Sequence, residues 1–345
     1  MTSLSKDYRL PENRREYFTQ LYRMNLEHGV MPGLVYMLMP ALVKKYNLDT
    51  EQRLWLAALN GNTQHILTSW RIFKEFPEVP NTKEEMGRFR DWFNTNWDTL
   101  RFDDDRKWQK KELPAFVFRY QNLVREAGSQ EKLLTGRFSE LWDKVRAHYL
   151  SFGRLATFSY LEYVQIMAAI EGNEYGAPCD NLFFEDKEGS RSHRNGMFFL
   201  LGMDNMVCDK RQPNSHDGNY GDLKKMASWL TDKANEYLRS CGIKHRDLGY
   251  FTFESNLCTT KNGLFGRRHP GCYADMFFDR IKWYDDRGFE SLTKVFKEFR
   301  EDLLPEWLRC ECAEDKLTFN ERAAMLRDTG FPYRGECFLS GNNEV

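Results

Sequence analysis

Apolar residues recur at helical spacing along most of the chain, with polar residues between them. Over Pro11–Glu27, Tyr17, Phe18, Leu21, Tyr22 and Met24–Leu26 form one apolar face. His28-Gly29 supplies the stop, because glycine tolerates the left-handed conformation at a helix end. Pro32 suits the first turn of a second helix through Val43, with a bend at Pro40. Asp49-x-x-Gln52 has the form of a capping box and opens a third helix, Glu51–Leu59. The amide-rich Asn60–Gln64 then reads as a turn, and Ile66, Leu67, Trp70, Phe73 and Phe76 mark the next buried stripe. Asn81-x-x-Glu84 opens a helix through Trp97, and Phe102–Lys111 is a charged, solvated connection. Helices follow over Leu113–Glu126, Phe138–Tyr149 and Leu155–Ile170.

The second half is less regular. Asp180–Gly196 reads as a polar loop, its glycines opposing a regular helix, and Asp204–Tyr220 as irregular. Asp222–Arg239 predicts a helix, Tyr273–Arg280 lies on another, and Phe289–Leu304 and Phe319–Asp328 close the chain. No βαβ alternation, glycine-rich nucleotide fingerprint or internal repeat is present. The fold class is therefore predominantly α. The expected organisation is one catalytic domain over 1–345, read also as two intimate helical lobes of about 1–175 and 176–330, with a loose tail over 335–345.

Composition narrows the function classes. A net charge of −1 argues against a general nucleic-acid coat but leaves room for a local basic patch. The longest apolar run, Val30–Val43, is broken by Pro32, Gly33 and Pro40, so no membrane span is expected. The N-terminus carries no hydrophobic signal region. The eight cysteines include no CxxC pair and read as reduced thiols rather than as a zinc site.

Two polar islands carry the candidate chemistry. The first, Asp180–Gly196, holds Glu185, Asp186, Ser190, Arg191, Ser192, His193, Arg194 and Asn195. Arg191 and Arg194 suit one shared anion, since guanidinium binds phosphate or carboxylate bidentately. A solvated loop of local ion pairs is the plain alternative. The second, Phe251–Arg268, sets Glu254 and Ser255 among Phe251, Phe253 and Leu257, neighbours that raise a carboxyl pKa. Lys261, Arg267 and Arg268 make it basic, and Tyr273, Asp275, Asp279 and Arg280 follow on a helix. Asn60, Asn62 and Gln64 either cap helix ends or read a nucleobase edge.

These segments resemble the bacteriophage amino acid:DNA transferases, also called α-glutamyl/putrescinyl thymine pyrophosphorylases. The resemblance rests on Pro32-Gly-Leu-Val-Tyr36, Gln52–Trp55 through Leu59–Gln64, and Ser190-Arg-Ser-His-Arg-Asn-Gly196, the most specific string. Tyr250–Ser255 with Leu257-Cys-Thr259, and Tyr273 through Ile281, complete it. It implies a helical core like that of helix-hairpin-helix DNA glycosylases, although no clean glycine hairpin is visible. It also implies replacement of the pyrophosphate on activated 5-hydroxymethyluracil in phage DNA by a free amino acid such as glycine or serine. A hydroxymethyluracil DNA kinase would act first, and the setting would be the cytoplasm of the infected host.

That chemistry sets three requirements. Pyrophosphate charge needs Arg191 and Arg194, helped by Lys261, Arg267 and Arg268, which could equally contact the DNA backbone. Glu185 and Asp186 either hold Mg²⁺ or orient the arginines, the latter being favoured. The α-ammonium must lose a proton, for which His193 is the first candidate and Glu254 the second. A purely structural His193 is the plain alternative. The base must be reached in the groove or flipped out, with Asn60, Asn62, Gln64 or Asn195 on its edge and Tyr36, Trp55, Trp70 or Tyr273 as stacking candidates more at home in a core. The competing enzyme reading is a helical glycosylase-like hydrolase using Glu254 or Asp275 to activate water.

Overall fold

Helices begin where local side chains satisfy the first backbone N–H groups. Asp49 Oδ1 accepts from Gln52 N (2.9 Å) while Gln52 Oε1 accepts from Asp49 N (3.2 Å), the reciprocal pair expected from sequence. The next box falls one residue later than expected. Thr82 Oγ1 accepts from Glu85 N (3.1 Å) and Glu85 Oε2 accepts from Thr82 N (3.0 Å), because a threonine hydroxyl is placed to do what Asn81 does not. At the C-termini Gly29 and Gly128 take the left-handed conformation, with φ of 63° and 89°.

The computed structural model describes residues 10–102, 107–171, 175–183, 192–202, 250–264 and 271–309, with positions 225, 228 and 232. In chain order the α-helices are α1 (Pro11–His28), α2 (Val35–Tyr46), α3 (Thr50–Thr63), α4 (Ile66–Glu75), α5 (Lys83–Asn96), α6 (Leu113–Ala127) and α7 (Gln130–Leu133). They continue as α8 (Phe138–His148), α9 (Arg154–Glu171), α10 (Ser192–Leu200), α11 (Phe251–Leu264), α12 (Cys272–Asp285) and α13 (Glu290–Leu303). Among the described residues the β content is one isolated bridge, Thr135–Gly176. The fold is a multi-helix all-α fold, as the periodicity indicated. Positions 225, 228 and 232 are helical, but the rest of the expected Asp222–Arg239 helix lies outside the described residues. Asp204–Tyr220, Phe319–Asp328 and the tail 335–345 lie outside them too.

The described residues fall into two compact units. The first draws on Met1–Leu34, Asp180–Asp279 and Leu303–Val345, the second on Val35–Cys179 and Arg280–Asp302.

In the second unit, α3 is buried from Arg53 through Thr63 and packs on α4, α7 and α9. The expected turn at Asn60–Gln64 is instead helix as far as Thr63, ending at Gln64 with φ 52°. Gly61 is what α9 requires there, since a Cβ on it would lie 2.8 Å from Tyr160 Cβ. Tyr120, Tyr149, Phe152 and Tyr160 fill the space beside it with edge-to-face and tilted rings. Within the charged 102–111 connection, Lys110 is buried and its Nζ donates to Asn62 O.

One 18-residue window within Pro11–Tyr46 does reach the hydropathy of a bilayer span, contrary to the sequence expectation. Gly33 interrupts Pro11–Tyr46 at φ 71° and ψ 5°, and 56% of that window is buried within the protein, as in a core helix.

Candidate active site

The first unit is built on a close approach between α10 and α11. A Cβ on Gly196 would sit 2.2 Å from Leu257 O, so only glycine lets the two backbones pass. This corrects the reading of Asp180–Gly196 as loop throughout: Ser192–Gly196 forms the first turns of α10. The cost of about 1 kcal/mol for glycine inside a helix is met by packing against α11.

His193 precedes Gly196 by three residues and Glu254 precedes Leu257 by three, so each lies one turn before the contact point. Their side chains meet there. His193 Nδ1 is 3.7 Å from Glu254 Oε1, with His193 fully buried and the Glu254 side chain 7% exposed. His193 Nε2 donates to Leu182 O at 2.9 Å. A carbonyl only accepts, so Nε2 carries a hydrogen and Nδ1 is the ring nitrogen that faces the carboxyl group. Cys258, one turn beyond Glu254 on the same face of α11, donates from Sγ to Oε1 at 3.4 Å. One ligand atom from each of His193, Glu254 and Cys258 lies within 4.8 Å of the other two.

Helix α1 braces this pair. Asn25 Nδ2 donates to Asn256 Oδ1 at 2.6 Å, Asn256 Nδ2 donates to Thr252 O at 2.8 Å, and Tyr22 Oη pairs with Thr252 Oγ1 at 2.9 Å. Phe253 stands edge-on to Phe18 and Tyr22. At the far end of α10, Arg14 Nη1 donates to Phe199 O at 3.0 Å, and its guanidinium lies 3.7 Å from the centroid of the Phe199 ring. These buried bonds fix the faces of α10 and α11 without contributing reactive groups.

The other candidates distribute as follows. Arg194 is buried beside His193 and Asn195 is half-buried, while Ser192 opens α10. Ser255 is buried next to Glu254, and Lys261 lies further along α11. Tyr273 and Asp275 are buried at the start of α12, and Asp279 is half-buried a turn later. Glu185, Asp186, Ser190, Arg191, Arg267 and Arg268 lie outside the described residues.

Asn60, Asn62, Gln64 and Arg280 belong to the second unit, where they surround a different buried network. Asn60 Oδ1 accepts from Ser69 Oγ at 3.0 Å, which ties the end of α3 to α4, and Asn62 is buried beside it. His65 caps α4, its Nδ1 accepting from Thr68 N at 3.2 Å. Burial, with Arg280 and Arg101 nearby, holds the His65 imidazole well below its usual pKa. Burial, with Arg101 nearby, brings Arg280 down to about 9. Tyr284 Oη reaches Thr68 Oγ1 at 2.7 Å and accepts from Arg101 N at 3.3 Å. Of the stacking candidates, Trp55 and Trp70 are core residues; Trp55 Nε1 donates to Phe76 O at 2.8 Å. Half-buried Tyr36 donates to Glu162 Oε1 at 2.6 Å.

Sequence reasoning missed Cys258 and the Leu182 carbonyl. The only trace of the first is its i,i+4 spacing from Glu254; the second, a backbone atom, leaves none.

An all-α chain with a buried imidazole–carboxyl–thiol cluster between two helices defines the class of protein in structural terms. Comparison with known proteins supplies the family. The family model described as "Amino acid:DNA transferase" matches residues 33–263, a stretch that contains His193, Glu254 and Cys258. The chain belongs to the amino acid:DNA transferase family. It is also similar to a protein of Salmonella phage ViI named "Serinyltransferase", at 27% identity over 342 residues, covering 90% of this chain and 78% of that one. No solved structure matches the chain.

Proposed function

We propose that this transferase replaces the pyrophosphate on an activated 5-hydroxymethyluracil in phage DNA with an amino acid, releasing pyrophosphate. The observation that carries the reading is the buried His193–Glu254 pair, which lies inside the family-matched stretch, with His193 in the string of most specific resemblance. Substitution by an amine requires the ammonium to lose a proton, and a carboxyl group set against an imidazole is a pairing that can accept one. With Nε2 committed to Leu182 O, the imidazole works through its Nδ1 side and Glu254.

Arg194 and Arg191 hold the leaving diphosphate, while Lys261, Arg267 and Arg268 meet the DNA backbone. Glu185 and Asp186 orient those arginines or hold Mg²⁺. Asn195 and Tyr273 are the proposed base contacts, whereas Asn60, Asn62 and Gln64 lie in the second unit, where Asn60 and Asn62 are buried. A kinase acting on hydroxymethyluracil in DNA supplies the activated substrate inside the infected host cell. The name of the Salmonella phage relative makes serine the first donor to try.

The test incubates the full-length protein with DNA bearing the pyrophosphorylated base and labelled serine or other amino acids. Label in DNA with stoichiometric pyrophosphate supports the proposal. Abasic sites without label would instead establish a glycosylase-like hydrolase.

A further inference from the structure

We infer that His193, Glu254 and Cys258 form a binding site for one zinc ion. Three independent features point to it. The first is the donor set: an imidazole nitrogen, a carboxyl oxygen and a thiol sulfur suit Zn²⁺, whereas Mg²⁺ and Ca²⁺ take oxygen ligands.

The second is spacing. Tetrahedral zinc, with bonds of roughly 2.0–2.1 Å to nitrogen and oxygen and about 2.3 Å to sulfur, sets its ligand atoms roughly 3.4–3.6 Å apart. Nδ1 and Oε1 of His193 and Glu254 are 3.7 Å apart, and Oε1 and Sγ of Cys258 are 3.4 Å apart. The remaining edge is at most 4.8 Å, within reach of a rotation of Cys258.

The third is orientation. Metal-binding histidines donate their second ring N–H to a fixed acceptor, commonly a backbone carbonyl, which turns the other nitrogen towards the ion. Here Nε2 donates to Leu182 O and Nδ1 faces the cluster.

Three protein ligands leave a fourth position for water, the arrangement of catalytic rather than structural zinc. That position opens on the half-exposed Cys258 side, since His193 is fully buried. Thiolate and carboxylate together neutralise the ion. Zinc lowers the pKa of its bound water far below that of bulk water. The resulting hydroxide takes one proton from the donor ammonium, giving neutral amine and zinc-bound water. In this form the proposed His193–Glu254 centre acts through the ion it holds. This catalytic consequence rests on the proposed transferase reaction, whereas the binding claim does not.

Binding is read without DNA. Full-length protein is stripped with chelator, dialysed and titrated with Co²⁺, whose thiolate complexes show a charge-transfer band in the near ultraviolet. The expected result is one equivalent bound with that band, loss of the band in Cys258→Ser, and its retention in Cys272→Ser. Zn²⁺ should displace the cobalt and bleach the band. No band in folded wild-type protein, or a band that survives Cys258→Ser, overturns the site. Label transfer at full rate after complete metal removal overturns the catalytic role. Label transfer without any metal binding overturns this inference and leaves the proposed function standing. Metal binding without label transfer does the reverse.

Discussion

Gly196 lies so close to Leu257 that a methyl group on it would come within 2.2 Å of the Leu257 carbonyl oxygen. No flexible side chain is available to yield, because the opposing atoms are main chain. Gly196→Ala is expected to lower stability by at least the ~1–3 kcal/mol typical of overpacking, seen as a fall in the thermal midpoint. Gly87→Ala is the control, since nothing lies within 4 Å of a Cβ there. It should raise stability by about 0.5–1 kcal/mol through helix propensity.

Glu254→Gln keeps the shape of the side chain and removes its ability to carry charge. The expected outcome is a fall in the rate of label transfer of about 10²–10⁴, the span ascribed to a positioned acid–base group. Single-turnover assays and far-ultraviolet dichroism on the same preparation separate this from unfolding. An unchanged rate in folded protein would remove Glu254 from the reaction.

Asn25 and Asn256 test what braces α11 against α1. Asn256→Ala leaves the buried Asn25 amide without the oxygen it now meets at 2.6 Å, and should cost about 1–3 kcal/mol in urea denaturation. Asn25→Ala should cost a similar amount. The double variant should cost less than the sum, by about 1 kcal/mol of coupling.

Acid sensitivity follows from histidines that burial keeps neutral. His65 sits well below its usual pKa, and burial lowers His28 to about 4. In the unfolded chain both take up a proton near pH 6.5, whereas the folded chain resists it. Stability is therefore complete above about pH 6.5 and is lost as pH falls below it, by about 1.4 kcal/mol per pH unit for each such histidine. Urea midpoints at pH 7, 6 and 5 should show this decline. His65→Asn, which keeps an N-cap acceptor for α4, should remove the His65 share and leave that of His28.

The helices were legible because caps and apolar faces are local. Asp49 and Gln52, or His28 and Gly29, state their roles within a few residues of one another. What misled was glycine and amide chemistry whose purpose is tertiary. Asn60–Thr63 has the composition of a turn, yet it is helix because Gly61 admits Tyr160 and Asn60 binds Ser69. Ser192–Gly196 has the composition of a loop, yet it is helix because Leu257 passes against Gly196. His193 and Glu254 were visible singly as reactive types in polar islands. Cys258 was not, since its part depends on a partner more than sixty positions away.

The oxygen that steers the His193 ring belongs to the main chain at position 182, and no replacement of the Leu182 side chain can remove it. A search for the groups that tune this centre by swapping side chains will therefore pass over one of them. Backbone ester substitution, or isotope-edited infrared spectroscopy of that carbonyl, would reach an influence to which point mutagenesis is blind.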